Sequence, residues 1–166
     1  MEIVRIHFKG EKFNEMRRLL KLWNDTAYLY EFATNNKSDI PKDLNILALV
    51  SQIIDHANDI DDRLYEISSN PEKGLEEFFK PLDNQEYHIV ELSKQKGRKN
   101  YLRLFAIKID YHCFVITGGT IKFHHLNKDR PHTQKEMQKM DRCRDYLKDN
   151  GVFDADSFYE FLNEQQ

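Results

Sequence analysis

An arginine inside an otherwise apolar segment is the first residue of this chain whose chemistry needs explaining. Arg103 lies within Tyr101-Leu102-Arg103-Leu104-Phe105, and burying an unpaired guanidinium is costly. Arg103 therefore needs an anionic partner. A carboxylate of the same chain would make it a structural ion pair. A phosphate would make it a binding residue, because the planar guanidinium matches phosphate oxygens and stays charged. The sequence leaves both interpretations open.

Further cations are concentrated in the same part of the chain. Residues 94–148 contain 14 Lys and Arg against 5 Asp and Glu, whereas residues 1–93 contain 11 against 18 and residues 149–166 contain 0 against 5. Within the basic block lie one loop cluster and one helical stripe at i, i+4 and i+7: Lys96, Arg98 and Lys99, then Lys135, Lys139 and Arg142. A solvated surface is the alternative. Loop, hairpin and helix are nevertheless all basic while the rest is acidic, which favours a nucleic acid as partner.

Gly118-Gly119 predicts the two-residue turn of a β-hairpin between residues 112–117 and 120–124. Side chains alternate between the faces of a strand, so this turn places Lys122 and His124 on one face. A register slip of one residue would reverse that assignment. The hairpin therefore predicts a cation and a titratable imidazole side by side.

Several classes of site and location are disfavoured. His112 and His125 would meet across the hairpin, but no third ligand has metal-ligand spacing, so no metal or other cofactor is predicted. Cys113 and Cys143 are sparse enough to predict buried thiols in a reducing cytoplasm. No run approaches 18 apolar residues, and the N-terminus lacks the apolar run of a signal peptide. No membrane association is expected.

The hydrophobic periodicity predicts helices first and strands later. Apolar and polar residues alternate over residues 2–8, which predicts a strand. Helical spacing of the apolar residues follows. The longest helix is expected at about residues 42–67, and another is expected to begin near Pro71 and end at Pro81. Strands are expected from Tyr87 to His124, followed by two helices. The order predicts an α+β domain over residues 1–166. Its sheet is expected to be mostly antiparallel, with about four to five strands, N-terminal helices (11–80) packed on it and two C-terminal helices.

Residues 86–148 resemble the RelE/HigB toxin superfamily of bacterial toxin–antitoxin pairs. Members of that family run from a strand through an arginine-bearing strand and a hairpin that ends near a lysine to a loop and a Thr-x-x-Glu helix. The counterparts in this chain are Tyr87–Leu92, Tyr101–Phe105, Val115–Lys122 and Thr133-x-x-Glu136. The initial strand and two helices also fit the family order, with the long helix as an insertion.

The resemblance implies a metal-independent endoribonuclease that acts on mRNA, often at the ribosome, and is inhibited by a small helix-turn-helix antitoxin. RNA supplies its own nucleophile, the 2′-hydroxyl, so such a site needs cations and an acid or base. Arg103 and Lys122 would hold phosphate. His124 would move protons, since imidazole titrates near neutrality. Arg130 and His132, in the loop before the basic helix, would join the RNA-binding surface.

A second function class stays open beside the toxin-like one. The same fold without catalysis would be a protein-binding or nucleic-acid-binding module, either a degenerate toxin or a regulator that docks through its basic face. Salt dependence separates the two binding modes, because neutralising phosphates releases counterions and makes affinity fall steeply with salt.

Overall fold

The computed structural model describes residues 2–5, 8–70, 79–83, 88–92, 101–111, 113–123 and 130–165. Within these ranges there are five α-helices: α1 Glu15–Trp23, α2 Thr26–Asn35, α3 Ile46–Ser69, α4 Pro131–Asp149 and α5 Ala155–Glu164. The strands of the sheet are β1 Glu2–Arg5, β2 Phe79–Asp83, β3 His88–Leu92, β4 Leu102–Asp110 and β5 Cys113–Ile121. A 3₁₀ turn, Lys37–Asp39, lies between α2 and α3.

The strand order is β1-β5-β4-β3-β2, so the two longest strands, β4 and β5, lie next to each other. They pair antiparallel, with Arg103 opposite Thr120 and Ile107 opposite Val115. The first strand joins the far edge of β5 in parallel, with Glu2 opposite Cys113. That parallel pairing places the N-terminal segment beside the last strand.

The predicted sheet is wrong in its strand arrangement, although the protein is α+β. The sequence predicts a mostly antiparallel sheet of about four to five strands that includes a hairpin turning at Gly118-Gly119. In the described ranges β4 pairs antiparallel with β5 and with β3, and β3 pairs antiparallel with β2, whereas β1 pairs parallel with β5. The two predicted hairpin strands 112–117 and 120–124 are replaced by the single strand Cys113–Ile121. Three of the five described helices precede β4, so most of the helices lie in the N-terminal part of the chain.

Gly118 and Gly119 lie inside β5 and not in a turn, because close packing requires glycine there. A Cβ on Gly119 would lie 2.7 Å from the carbonyl oxygen of Arg103 and 2.9 Å from Cη2 of Trp23. A Cβ on Gly118 would collide with the carboxylate of Glu136 on the other face. The pair is therefore glycine because α1 and α4 approach opposite faces of the same strand.

A β-bulge next to the glycines reverses which side chains face which helices. Phe105 pairs with Gly118 and Ala106 pairs with Ile116, which leaves Thr117 as the extra residue. Before the bulge the even-numbered residues of β5, such as Phe114, pack with α1–α3; after it the odd-numbered Ile121 does. The bulge therefore shifts the alternation of faces by one residue, as the predicted turn would, although the chain does not reverse direction at the glycines.

The sheet is covered on both faces. One apolar cluster joins Leu102, Leu104 and Ala106 of β4 to α1, α2 and α3. A second joins Phe105 and Ile107 to α4 and α5. Because of this double cover, β5 is buried throughout and β4 is buried from Leu102 to Ile107.

One of the predicted helices is confirmed and others differ in their bounds. The long helix is confirmed, with bounds shifted to Ile46–Ser69 and Asn45 as its N-cap. The helix predicted to end at Pro81 is wrong at its end, since residues 79–83 form β2, an edge strand that tolerates proline; residues 71–78 lie outside the described residues. The pattern Thr133-x-x-Glu136 is typical of a capping box at a helix start, but α4 begins at Pro131, so both residues lie inside the helix and do not cap it.

Replacing Gly119 by alanine should destabilise the fold by roughly 1–3 kcal/mol, because the added methyl group meets backbone and a buried indole that do not yield. The matched variant Gly118→Ala should cost less, since it meets the end of a flexible glutamate. Urea unfolding of the three proteins measures the free energies of unfolding. Equal stability of Gly119→Ala and wild type would contradict the packed-strand assignment.

Candidate functional site

An open cleft of about 960 Å³ lies between the N-terminal strand and helix α1 on one side and helices α4 and α5 on the other. Six cations and three carboxylates line it: Arg5, Lys9, Arg18, Lys135, Lys139 and Arg142, with Glu11, Glu15 and Glu136. Its apolar lining comes from Phe8, Val115, Cys143, Tyr146, Leu147, Phe158, Phe161 and Leu162. A cleft with an apolar floor and a cationic rim is suited to an anion that also carries apolar or aromatic groups.

A buried carboxylate holds the two walls of this cleft together. Glu15, on the first turn of α1, is only 1 % exposed. Arg18 donates to it from Nε and Nη2, both at 2.8 Å, and Lys139 of α4 donates to its Oε2 at 2.7 Å. Burial alone would raise the pKa of Glu15, but these charge-assisted hydrogen bonds outweigh it and hold the pKa below its ordinary value.

A second carboxylate connects the same ion pairs to the sheet. Glu136 accepts a hydrogen bond at 3.2 Å from the backbone N–H of Gly119. Lys139 lies 3.3 Å from its Oε2 and thereby bridges Glu15 and Glu136. The charge of Lys139 is therefore already paired with carboxylates of the protein.

The three cations of the predicted basic stripe on α4 all reach the cleft, but they have different roles there. Lys135, Lys139 and Arg142 all line the cleft. Lys139 is largely buried between two carboxylates, whereas Lys135 and Arg142 are exposed. The stripe therefore contributes one structural cation and two that face solvent.

The predicted catalytic residues lie elsewhere or outside the described residues. Arg103 is 4 % exposed, and its Nη1 donates to the carbonyl oxygen of Leu102 at 2.7 Å. Lys122 follows β5, is half-buried, and donates its backbone N–H to the carbonyl oxygen of Tyr101. Neither lines the cleft. His124 and the loop cations Lys96, Arg98 and Lys99 fall outside the described residues.

Arg130 and His132, at the start of α4, contact the 3₁₀ turn, β5 and α2. Arg130 forms an ion pair with Asp39 of the 3₁₀ turn. His132 Nε2 lies 3.1 Å from the carbonyl oxygen of Ile121, so this nitrogen donates, and the ring meets Phe32 edge-on at 5.2 Å. Neither residue lines the cleft.

Sequence reasoning missed the cations that come from the acidic half of the chain. Arg5, Lys9 and Arg18 line the cleft although residues 1–93 are acidic overall. The alternation of residues 2–8 indicates a strand that carries Arg5 but does not indicate its neighbour. The parallel pairing of β1 with β5 places Arg5 beside the last strand, and Arg18 reaches the same cleft from α1.

Nucleophilic and metal chemistry find little support in the described residues. Cys143 lines the cleft, but burial raises the pKa of its thiol to about 11, so it stays protonated and unreactive near neutrality. Cys113 is a free, buried thiol as well. Within the described ranges there is no group of three or more His, Cys, Asp or Glu that could hold a metal ion. In the same ranges no helix combines the length and apolarity needed to cross a membrane.

Replacing Glu15 by glutamine should lower the free energy of unfolding at pH 7 by roughly 1.5–3 kcal/mol, the typical contribution of hydrogen bonds to a charged group. The folded pKa of Glu15 lies below 4.5, so its stabilising effect is complete above that value and is lost as pH falls through the folded pKa. The deficit of Glu15→Gln should therefore shrink in acid. Urea unfolding from pH 7 to pH 3 measures it.

The matched control is Glu31→Gln, which removes an exposed carboxylate from α2. It should leave stability nearly unchanged at every pH. A deficit of Glu15→Gln that stays constant down to pH 3 would show that the ionised carboxylate is not what α1 and α4 share.

Comparison with known proteins adds no assignment to this geometry. No protein-family model, no curated protein and no solved structure matches the chain. The positions and charges of the described residues are therefore the observations on which a function can be proposed.

Proposed function

We propose that this chain is a toxin-like RNA-binding protein, and that the cleft between β1, α1, α4 and α5 holds the RNA backbone. In this proposal it is the toxin component of a bacterial toxin–antitoxin pair and a metal-independent endoribonuclease that acts on mRNA. The observation that supports it most is the convergence of solvent-facing cations from opposite ends of the chain on one cleft.

Four of the cleft cations face solvent: Arg5, Lys9, Lys135 and Arg142. Within the part of the chain that the structure describes, no ion pair engages any of them, whereas Arg18 and Lys139 are held by Glu15. Cations that no carboxylate neutralises attract phosphates and release the counterions of RNA. These four side chains therefore supply the anion-binding part of the proposed function.

The element order also supports the toxin-like part of the proposal. A strand and helices precede the arginine-bearing strand β4, and the counterpart Val115–Lys122 comprises the end of β5 and the residue after it. The helix that contains Thr133 and Glu136 follows. This is the order that the resemblance to the RelE/HigB superfamily implies.

Binding and cleavage rest on different residues. Binding rests on the cleft, whose cations are accessible. Cleavage rests on the resemblance, which assigns phosphate contacts to Arg103 and Lys122 and proton transfer to His124. The side chain of Arg103 is only 4 % exposed and that of Lys122 is half-buried, so in this proposal Lys122 is the more accessible of the two cations for cleavage.

The apolar floor of the cleft favours one alternative function. Phe158, Phe161 and Leu162 of α5 line it below the cationic rim. An acidic amphipathic segment of a partner protein, such as a small helix-turn-helix antitoxin, would place apolar side chains on this floor and carboxylates on the rim. The ribosome would be the corresponding large partner of the RNA-binding function.

The double variant Lys135→Ala/Arg142→Ala should bind RNA more weakly and with less salt dependence, since two phosphate contacts are lost. The slope of log affinity against log salt should become shallower by roughly 1.4, at about 0.7 for each lost contact with a single strand. Fluorescence anisotropy of a labelled RNA oligonucleotide between 50 and about 300 mM salt measures both effects.

Lys42→Ala is the matched control, because Lys42 is exposed and does not line the cleft. It should change neither affinity nor slope. Wild-type binding that is insensitive to salt, or equal binding by the control and the double variant, would reject the cleft as the RNA site.

Purified protein should fragment total RNA in the presence of EDTA, because the proposed reaction uses the 2′-hydroxyl and protein cations without a metal ion. Lys122→Ala should lower the cleavage rate by about 10²-fold or more if its cation stabilises the charge that develops on the phosphate. Gel electrophoresis of the RNA measures the rate, and circular dichroism verifies that the variant is folded. Intact RNA with folded wild type would leave the binding module as the function.

A further inference from the structure

An exposed aromatic side chain stands at the cleft beside one of its accessible cations. Tyr146 lines the cleft and is 54 % exposed, although it belongs to a helix whose Cys143 and Leu147 are buried. Arg142 precedes it by four residues and lines the same cleft. Residues four apart lie next to each other on a helix surface, so the ring and the guanidinium are neighbours.

The ring of Tyr146 is held in place by two buried rings behind it. It meets Phe161 edge-on, with centroids 6.0 Å apart and planes at 78°. Phe161 in turn stacks on Phe158 at 6.5 Å and 16°. Because this packing already orders the tyrosine, stacking a ligand on it costs little conformational entropy.

The other ring near the cleft mouth is already engaged. Phe8 is half-buried and lines the cleft, and Lys139 Nζ lies 4.9 Å from its ring centroid. A cation over the ring competes with a base for the same surface. Tyr146 is therefore the aromatic group of this cleft best placed to stack a ligand.

We infer that Tyr146 stacks an unpaired RNA base while Arg142 holds a neighbouring phosphate, so that the cleft selects single-stranded over duplex RNA. This inference rests on the proposed RNA-binding function and adds the substrate class. A base in a duplex has both faces covered by its neighbours, whereas a single strand exposes them to aromatic side chains. Cations alone would bind either form.

The test compares a single-stranded RNA of 12 nucleotides with the duplex that it forms with its complement, in the same buffer. Wild type should bind the single strand more tightly. Tyr146→Leu, which keeps an apolar contact with Phe161 but has no aromatic face, should weaken single-strand binding by roughly 5- to 150-fold, the effect of losing one stacked base. Duplex binding should hardly change.

Two further variants control the interpretation. Tyr146→Phe keeps the ring and should bind like wild type, which shows that the aromatic face and not the hydroxyl matters. Tyr65→Ala removes a tyrosine that is 74 % exposed on α3 and should have no effect. Circular dichroism of each variant verifies folding.

The two proposals fail in different ways. If wild type binds single strand and duplex equally and Tyr146→Leu binds like wild type, while Arg142→Ala still weakens binding, the stacking inference is overturned and the RNA-binding function stands. If wild type binds neither RNA, the proposed function falls and the inference falls with it. Selective loss of single-strand binding in Tyr146→Leu supports both.

Discussion

The carboxylate of Glu15 is the group through which the two halves of the chain are joined. It is buried at the start of α1, and it accepts hydrogen bonds from Arg18 on its own helix and from Lys139 on α4. An ionised carboxylate at such a position is tolerated only when cations compensate its lost hydration. The relative placement of α1 and α4, and thus the width of the cleft between them, depends on this compensation.

That compensation also sets the electrostatics of the cleft. Lys139 and Arg18 form ion pairs with Glu15 and Glu136, so their attraction for an incoming anion is largely cancelled. The attraction for a polyanion comes instead from the cations nearer to solvent, such as Arg5 and Arg142. A basic stripe that looks uniform along one helix is therefore electrostatically divided once the helix has packed.

The two glycines of β5 show why local signals mislead. Gly-Gly between alternating apolar residues is a common hairpin turn, and it is also what a strand needs where helices press on both of its faces. Trp23 and Leu19 require a glycine at 119, and Glu136 requires one at 118. These contacts are distant in sequence, so residues next to the glycines carry no sign of them.

The sequence by itself determined the local elements, because hydrophobic periodicity and caps act over a few residues: the long α3, the covered apolar strand around Arg103 and the basic helix α4. The tertiary structure alone decided strand order, the bulge at Thr117 and the meeting of β1 with β5. Pairing of distant strands is set by the packing of the whole core and not by neighbouring residues. For that reason the cations of α4 were recognisable in the sequence, whereas Arg5, Glu15 and the cleft that they share were not.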